Sequence, residues 1–133
     1  MTEEQHQALV AAARAVLAPR RLSPTVEVGG VGAALLSASG RVFVGVCIDA
    51  ASGVGFCAEH AAAAAMVTAG ESRVLAMVAV DWDGSVLAPC GRCRELVVQL
   101  DEGNAGTEVI LPMRTATRRE LLPDHWLMDR PGT

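Results

Sequence analysis

Apolar residues recur at Leu9, Val10, Ala13, Val16 and Leu17, behind two acids at Glu3 and Glu4. That spacing puts them along one side of a helix, and Pro19 ends it. The pattern predicts an amphipathic helix over residues 3–17, lying on one face of a sheet. Residues 20–24 carry no period and read as a connector. From Thr25 the texture becomes β-like: Val26, Val28 and Val31 lead into Ala33-Ala34-Leu35-Leu36, a turn follows at residues 37–40, and a second strand covers residues 41–46. Together they predict a β-hairpin. A small glycine-containing loop at residues 50–56 delivers the chain to a helix over residues 57–69, whose run of alanines lets neighbouring backbones approach closely. Residues 74–80 are almost continuously apolar, the mark of a strand buried on both faces. A turn at residues 82–85 precedes Pro89, which is suited to open a helix over residues 90–100. A polar loop (residues 101–107), a strand (108–111) and a short helix (117–122) complete the pattern. The order α-β-β-α-β-α-β predicts a single α/β domain over residues 1–133, a sheet layered with helices.

Composition narrows the function classes. At 133 residues the chain has the size of one ordinary domain, and its half-apolar content is globular. A net charge of −4 argues against a nucleic-acid partner, which needs a basic stripe. No long apolar run and no basic, apolar leader is present, so neither a membrane span nor a secretory signal is expected, and the cytoplasm is the expected location. In that setting Cys47, Cys57, Cys90 and Cys93 read as metal or catalytic thiols before they read as disulfides. Gly29-Gly30-Val31-Gly32 invites a dinucleotide-loop reading. It fails on context, because such a loop follows a strand and opens a helix, whereas these glycines lead into a hairpin.

The candidate chemistry lies in Cys57-Ala58-Glu59 and Pro89-Cys90-Gly91-Arg92-Cys93. Zinc held by three protein ligands keeps a fourth position for water and lowers that water's pKa. Cys90 and Cys93 are three apart at a helix start and share a face. Cys57 starts the other helix, and helix N-termini favour thiolate. Glu59, two residues from a ligand, is placed to move a proton. Three thiolates against one Zn²⁺ leave net negative charge, which His60 and Arg94 are positioned to offset from just outside the ligands. The plainer alternatives are a solvated first-turn acid at Glu59, a packed histidine at His60, a surface charge at Arg94, and a closed four-cysteine structural site that includes Cys47.

The two motifs together resemble the cytidine deaminase family of zinc hydrolases in its all-cysteine form, and the likeness runs from about Val31 to Leu122. It implies a three-layer fold with a five-stranded mixed sheet and helices on both faces. It also implies one zinc per chain on Cys57, Cys90 and Cys93, with Glu59 as proton shuttle, and a small aminopyrimidine substrate reacting with water. The base would be held by main-chain groups near Ala58 and residues 85–89, and relatives of this size imply a homotetramer. Where the family holds ribose with an Asn-x-Glu, this chain has Cys47-Ile48-Asp49, so cytidine itself is expected to be handled poorly. Arginine between the ligands and Trp126 after Leu121-Leu122-Pro123 resemble the blasticidin-S deaminase branch, which implies that Arg92 and Trp126 meet the substrate. Two other functions compete: deamination of a free base or another aminated heterocycle, and a catalytically silent zinc-binding module.

Overall fold

The computed structural model describes residues 1–126; the last seven residues of the expected single domain lie outside it. Helix α1 (Glu3–Ala15) starts at a Thr2 capping box, in which Thr2 and Gln5 bond each other's main-chain N–H groups. The remaining order is β1 (Arg20–Ser23), β2 (Val26–Ser37), β3 (Val42–Ala50), α2 (Ala58–Thr68), β4 (Val74–Val80), β5 (Val86–Leu87), α3 (Gly91–Leu100), a 3₁₀ turn (Glu102–Gly106), β6 (Glu108–Ile110), β7 (Thr115–Thr117) and α4 (Arg118–Leu121).

The sheet is mixed, with β4 and β6 parallel and the other pairs antiparallel. It has seven strands rather than the expected five. The register explains the difference. β1 and β4 both lie along the edge of β2 that faces away from β3, and β5 and β6 both lie along the far edge of β4. The architecture is thus five columns, two of them built from two segments each. The connector read at residues 20–24 is largely strand β1.

Helices cover both faces. On one, α1 buries Leu9, Val10 and Ala13 against Ala34, Ala76, Val78, Val80 and Ile110. On the other, Ala62, Ala63 and Met66 of α2 and Val97 of α3 pack on Leu35, Phe43, Met77 and Val109. Successive residues of β2 and β4 serve opposite cores, as a period of two requires, and β4 is apolar throughout because both its faces are covered.

Two features seat the site-bearing helices. A Cβ built on Gly45 of β3 would stand 2.5 Å from the Ala62 nitrogen and 2.6 Å from the Ala61 Cβ. Glycine there, facing alanines, lets α2 lie closer to β3 than any side chain would permit. Behind α3, the buried Asn104 amide donates to the carbonyls of Ser72 and Val97 and accepts from the N–H of Val74, tying the helix to the start of β4. No helix among the described residues is long and apolar enough to cross a membrane.

Candidate active site

Both cysteine motifs fall at helix N-termini on the α2–α3 side of the sheet. Cys57 is the N-cap of α2, Cys90 is the N-cap of α3, and Cys93 lies in the first turn of α3. Their sulfurs converge: Cys57 Sγ and Cys90 Sγ are 3.3 Å apart, as are Cys90 Sγ and Cys93 Sγ. All three lie within 4.8 Å of one another. A tetrahedral zinc with Zn–S bonds of about 2.3 Å spaces its sulfurs by about 3.8 Å, so the triad matches that ion after sub-ångström side-chain adjustments. Cys47 is not part of this cluster. That removes the closed four-cysteine alternative and leaves, among the described residues, a set of three ligands.

The electrostatics favour a cation at this point. Burial pushes the Cys57 thiol up, and the neighbouring Cys90 adds to it. Burial also drives Cys93 far above the ordinary thiol range, with the Glu59 charge contributing. At Cys90 burial acts in the same direction, but the Cys93 and Arg92 N–H groups and the two neighbouring thiols outweigh it, and the net shift is downward. Three such thiols ionise together only against a strong positive charge, the service a divalent ion renders.

Glu59 is only 4% exposed. Burial raises its carboxyl above the usual range, with its own backbone N–H and the Cys93 thiol pulling partly back. A buried carboxyl inclined to hold a proton, beside the thiol cluster, is suited to proton transfer, and the plain solvated-acid alternative is excluded. His60 Nδ1 lies 3.4 Å from Cys93 Sγ. Burial and then the Arg92 charge lower its pKa, which favours neutral imidazole, so it offers a ring-nitrogen contact rather than a full charge. Arg94 turns away from the sulfurs: its Nε–H donates to the Pro89 carbonyl (2.9 Å) and an Nη1–H to the Leu121 carbonyl (3.0 Å). It clamps the loop before Cys90 to the end of α4.

A cavity of about 550 Å³ opens over these groups. Ala58, Cys47, Ala33 and Ala79 pack together beneath it. Its lining includes Cys57, Ala58, Glu59, Cys90 and Arg92, with Cys47 and Asp49 from β3. The Cys47 sulfur accepts the Val31 N–H (3.3 Å) and turns its S–H toward Asp49 Oδ2 (3.6 Å). Trp126 is half-exposed and is not among the lining residues. Asp81 and Trp82, at the turn read over residues 82–85, line the cavity as well, with Phe56, Leu87 and Ala88. The available signal was an indole in the short segment between a buried strand and the second cysteine motif.

Comparison with known proteins places this geometry. The sequence model described as "Cytidine and deoxycytidylate deaminase zinc-binding region" matches residues 3–105. The chain is 40% identical to a cytidine deaminase of Mycobacterium tuberculosis over 102 residues, 74% of each chain. The crystal structure of cytidine deaminase from Mycobacterium tuberculosis superposes with a TM-score of 0.78 at 35% identity, covering 91% of this chain and 96% of that one. That of Burkholderia pseudomallei gives 0.74 at 34% identity, covering 95% and 100%. Three convergent thiols at two helix starts suit a zinc-binding region, and the chain belongs to the cytidine and deoxycytidylate deaminase family.

Proposed function

We propose that this protein hydrolytically deaminates an aminopyrimidine of the nucleoside or nucleoside-analogue type, releasing ammonia. The observation that carries the reading is the buried Glu59 carboxyl beside the convergent thiols of Cys57, Cys90 and Cys93, with Cys57, Glu59 and Cys90 lining one cavity and Cys93 buried behind it. Those three sulfurs would hold the zinc, which when bound supplies Lewis acidity and a water acidified toward neutral pH. Glu59 accepts one proton of the attacking water and places it on the ring nitrogen beside the amino-bearing carbon, then accepts the remaining hydroxyl proton and returns it to the departing amine. Ala58 and residues 87–88 bring main-chain groups to the same cavity, where they suit the polar edge of the base. His60 orients the Cys93 sulfur, and Arg94 holds the loop that presents Cys90.

Recognition beyond the ring departs from a simple cytidine site. The Cys47 thiol is turned toward Asp49, which leaves no amide to bracket a sugar hydroxyl. Loss of such contacts costs on the order of 1–3 kcal/mol, so cytidine is a poor substrate. Arg92 at the rim offers a bidentate donor to a carboxylate, the feature behind the blasticidin-S-like reading. Assembly is proposed as a homotetramer with cavity mouths near subunit boundaries. Val42 and Val44 on β3, a strand with one long partner, and Val67 on α2 are large exposed apolar residues suited to such contacts. Sedimentation giving monomer alone at micromolar concentration would exclude that assembly.

The deciding experiment is ammonia release by zinc-loaded protein from cytidine, deoxycytidine, cytosine and blasticidin S, repeated with Glu59→Gln. Turnover of at least one compound is expected, abolished in Glu59→Gln while zinc content stays at wild type. A fully active Glu59→Gln overturns the proton-transfer role. Silence of the wild type across the panel supports the zinc-binding module instead.

A further inference from the structure

We propose that Trp82 determines specificity: its indole forms the outer wall of the cavity and stacks on the part of the substrate beyond the reacting ring. The inference deepens the deaminase reading and rests on it. The chain has only two tryptophans and two phenylalanines, and Phe56 and Trp82 both line this one cavity. Trp82 is nonetheless 70% exposed. An indole left so open in a chain poor in aromatics, at the mouth of its active-site cavity, is the kind of amphipathic surface that binding sites use.

Its exposure does not come from a loose loop. The Asp81 N–H donates to the Ser85 carbonyl and the Gly84 N–H to the Asp81 carbonyl, each at 2.8 Å. The N–H of Trp82 itself donates to Asp81 Oδ1 at 2.9 Å, and Asp83 Oδ1 accepts from the Ser85 N–H and hydroxyl. Gly84 takes a φ of +85°, which closes the turn, and Arg14 of α1 donates its Nε–H to the Gly84 carbonyl at 2.8 Å. The backbone carrying the indole is therefore braced both internally and from α1, so the ring can act as a preformed wall.

The reacting end of the cavity is set by Cys57, Glu59 and Cys90, and a cavity of about 550 Å³ has room for more than one small ring. Polar readout of the remainder is thin on the Cys47–Asp49 side, where the thiol is already directed at the carboxylate. Trp82 supplies what that side lacks, an extended face that rewards any substituent laid against it. One aromatic contact of this kind is worth roughly 2- to 10-fold in affinity.

The test compares wild type, Trp82→Ala and Trp82→Phe, zinc-loaded, in two arms. In the first, kcat/KM is measured for cytidine, deoxycytidine and cytosine. The nucleoside-over-base ratio is expected to fall roughly 2- to 10-fold in Trp82→Ala, through KM with little change in kcat, and to recover substantially in Trp82→Phe. In the second, tryptophan emission is titrated with cytidine and with uridine, and a ligand-dependent change in wild type is expected to vanish in Trp82→Phe. An unchanged ratio, or an emission change that survives in Trp82→Phe, overturns the proposal. Ligand-dependent emission from Trp82 without ammonia release from any compound sustains the wall and defeats the deaminase reading. Neither emission change nor turnover defeats both.

Discussion

Gly45→Ala is the sharpest probe of how the fold sets the site. A Cβ at this position would lie 2.5 Å from the Ala62 nitrogen, 2.6 Å from the Ala61 Cβ and 2.8 Å from the Ala58 carbonyl oxygen. Ordinary heavy-atom contact is about 3.5–4.0 Å, so α2 must retreat from β3 by about 1 Å. Two of the three obstructing atoms are backbone, which no rotamer change relieves. Overpacking of this kind costs about 1–3 kcal/mol, equivalent to a fall in Tm of roughly 5–15 °C for a domain of this size. The functional consequence is larger than the loss of stability. Ala58 and Glu59 lie in the first turn of α2 and Cys57 caps it, so the retreat moves the proton-transfer carboxyl and one sulfur relative to Cys90 and Cys93. A 1 Å misplacement of reacting groups costs about 100-fold in rate. Thermal unfolding and kcat of zinc-loaded Gly45→Ala should show both losses. Gly106→Ala, where an added Cβ meets nothing within 4 Å, should stay within about 0.5 kcal/mol of wild type. Wild-type Tm and kcat in Gly45→Ala would refute the view that close approach of α2 to β3 positions the site.

Three further outcomes follow from the structure. Cys93→Ser, which removes the buried sulfur of the triad, should lose zinc and lower Tm together because metal binding is linked to folding; metal analysis showing full retention at wild-type affinity would remove Cys93 from the ligand set. Arg118 is fully buried, and none of its guanidinium nitrogens has a hydrogen-bond partner among the described residues; burial lowers its pKa, with Glu95 opposing and Arg94 reinforcing that shift. Since an unpaired buried charge is costly, Arg118→Met should raise the urea midpoint by the equivalent of about 1 kcal/mol or more, and a lower midpoint would show that the guanidinium is compensated. Glu108 accepts from His6 at 3.0 Å and pairs with the N-terminal amine at 3.3 Å, and these contacts, His6 first, hold its pKa below the usual carboxylate range. A depressed folded-state pKa contributes stability above the unfolded value and loses it as pH falls through the folded one. Glu108→Gln should therefore flatten the acid limb of the stability profile below about pH 4.5. With the carboxyl 37% exposed, screening holds the effect to about 1 kcal/mol or less, and an unchanged acid limb would show the pairing contributes nothing.

What the sequence determined by itself was whatever depends on local repetition or on chemistry carried by adjacent residues. The 3.6-residue period of α1, the hairpin of β2 and β3 and the unbroken apolar run of β4 are each set by neighbours along the chain. Cys90 and Cys93 meet because three residues in a helical first turn bring side chains to one face, and the paired motifs carried the zinc-deaminase likeness with them. Only tertiary structure could decide the rest. Strands β1, β5 and β7 have four, two and three residues, too few to display a period of two, and exist because longer strands offer them an edge. Cys57 reaches Cys90 across 33 residues because α2 and α3 pack on the same face of one sheet. Glu59 is buried rather than solvated, Arg94 grips two carbonyls rather than facing the sulfurs, and Cys47 points at Asp49 rather than joining the triad. Trp82, which looked like part of a polar turn, became cavity wall through a turn pinned by Arg14, a residue 68 positions earlier in the chain. Each outcome depends on which distant surface a side chain meets, and a sequence pattern encodes that only through the packing of the whole.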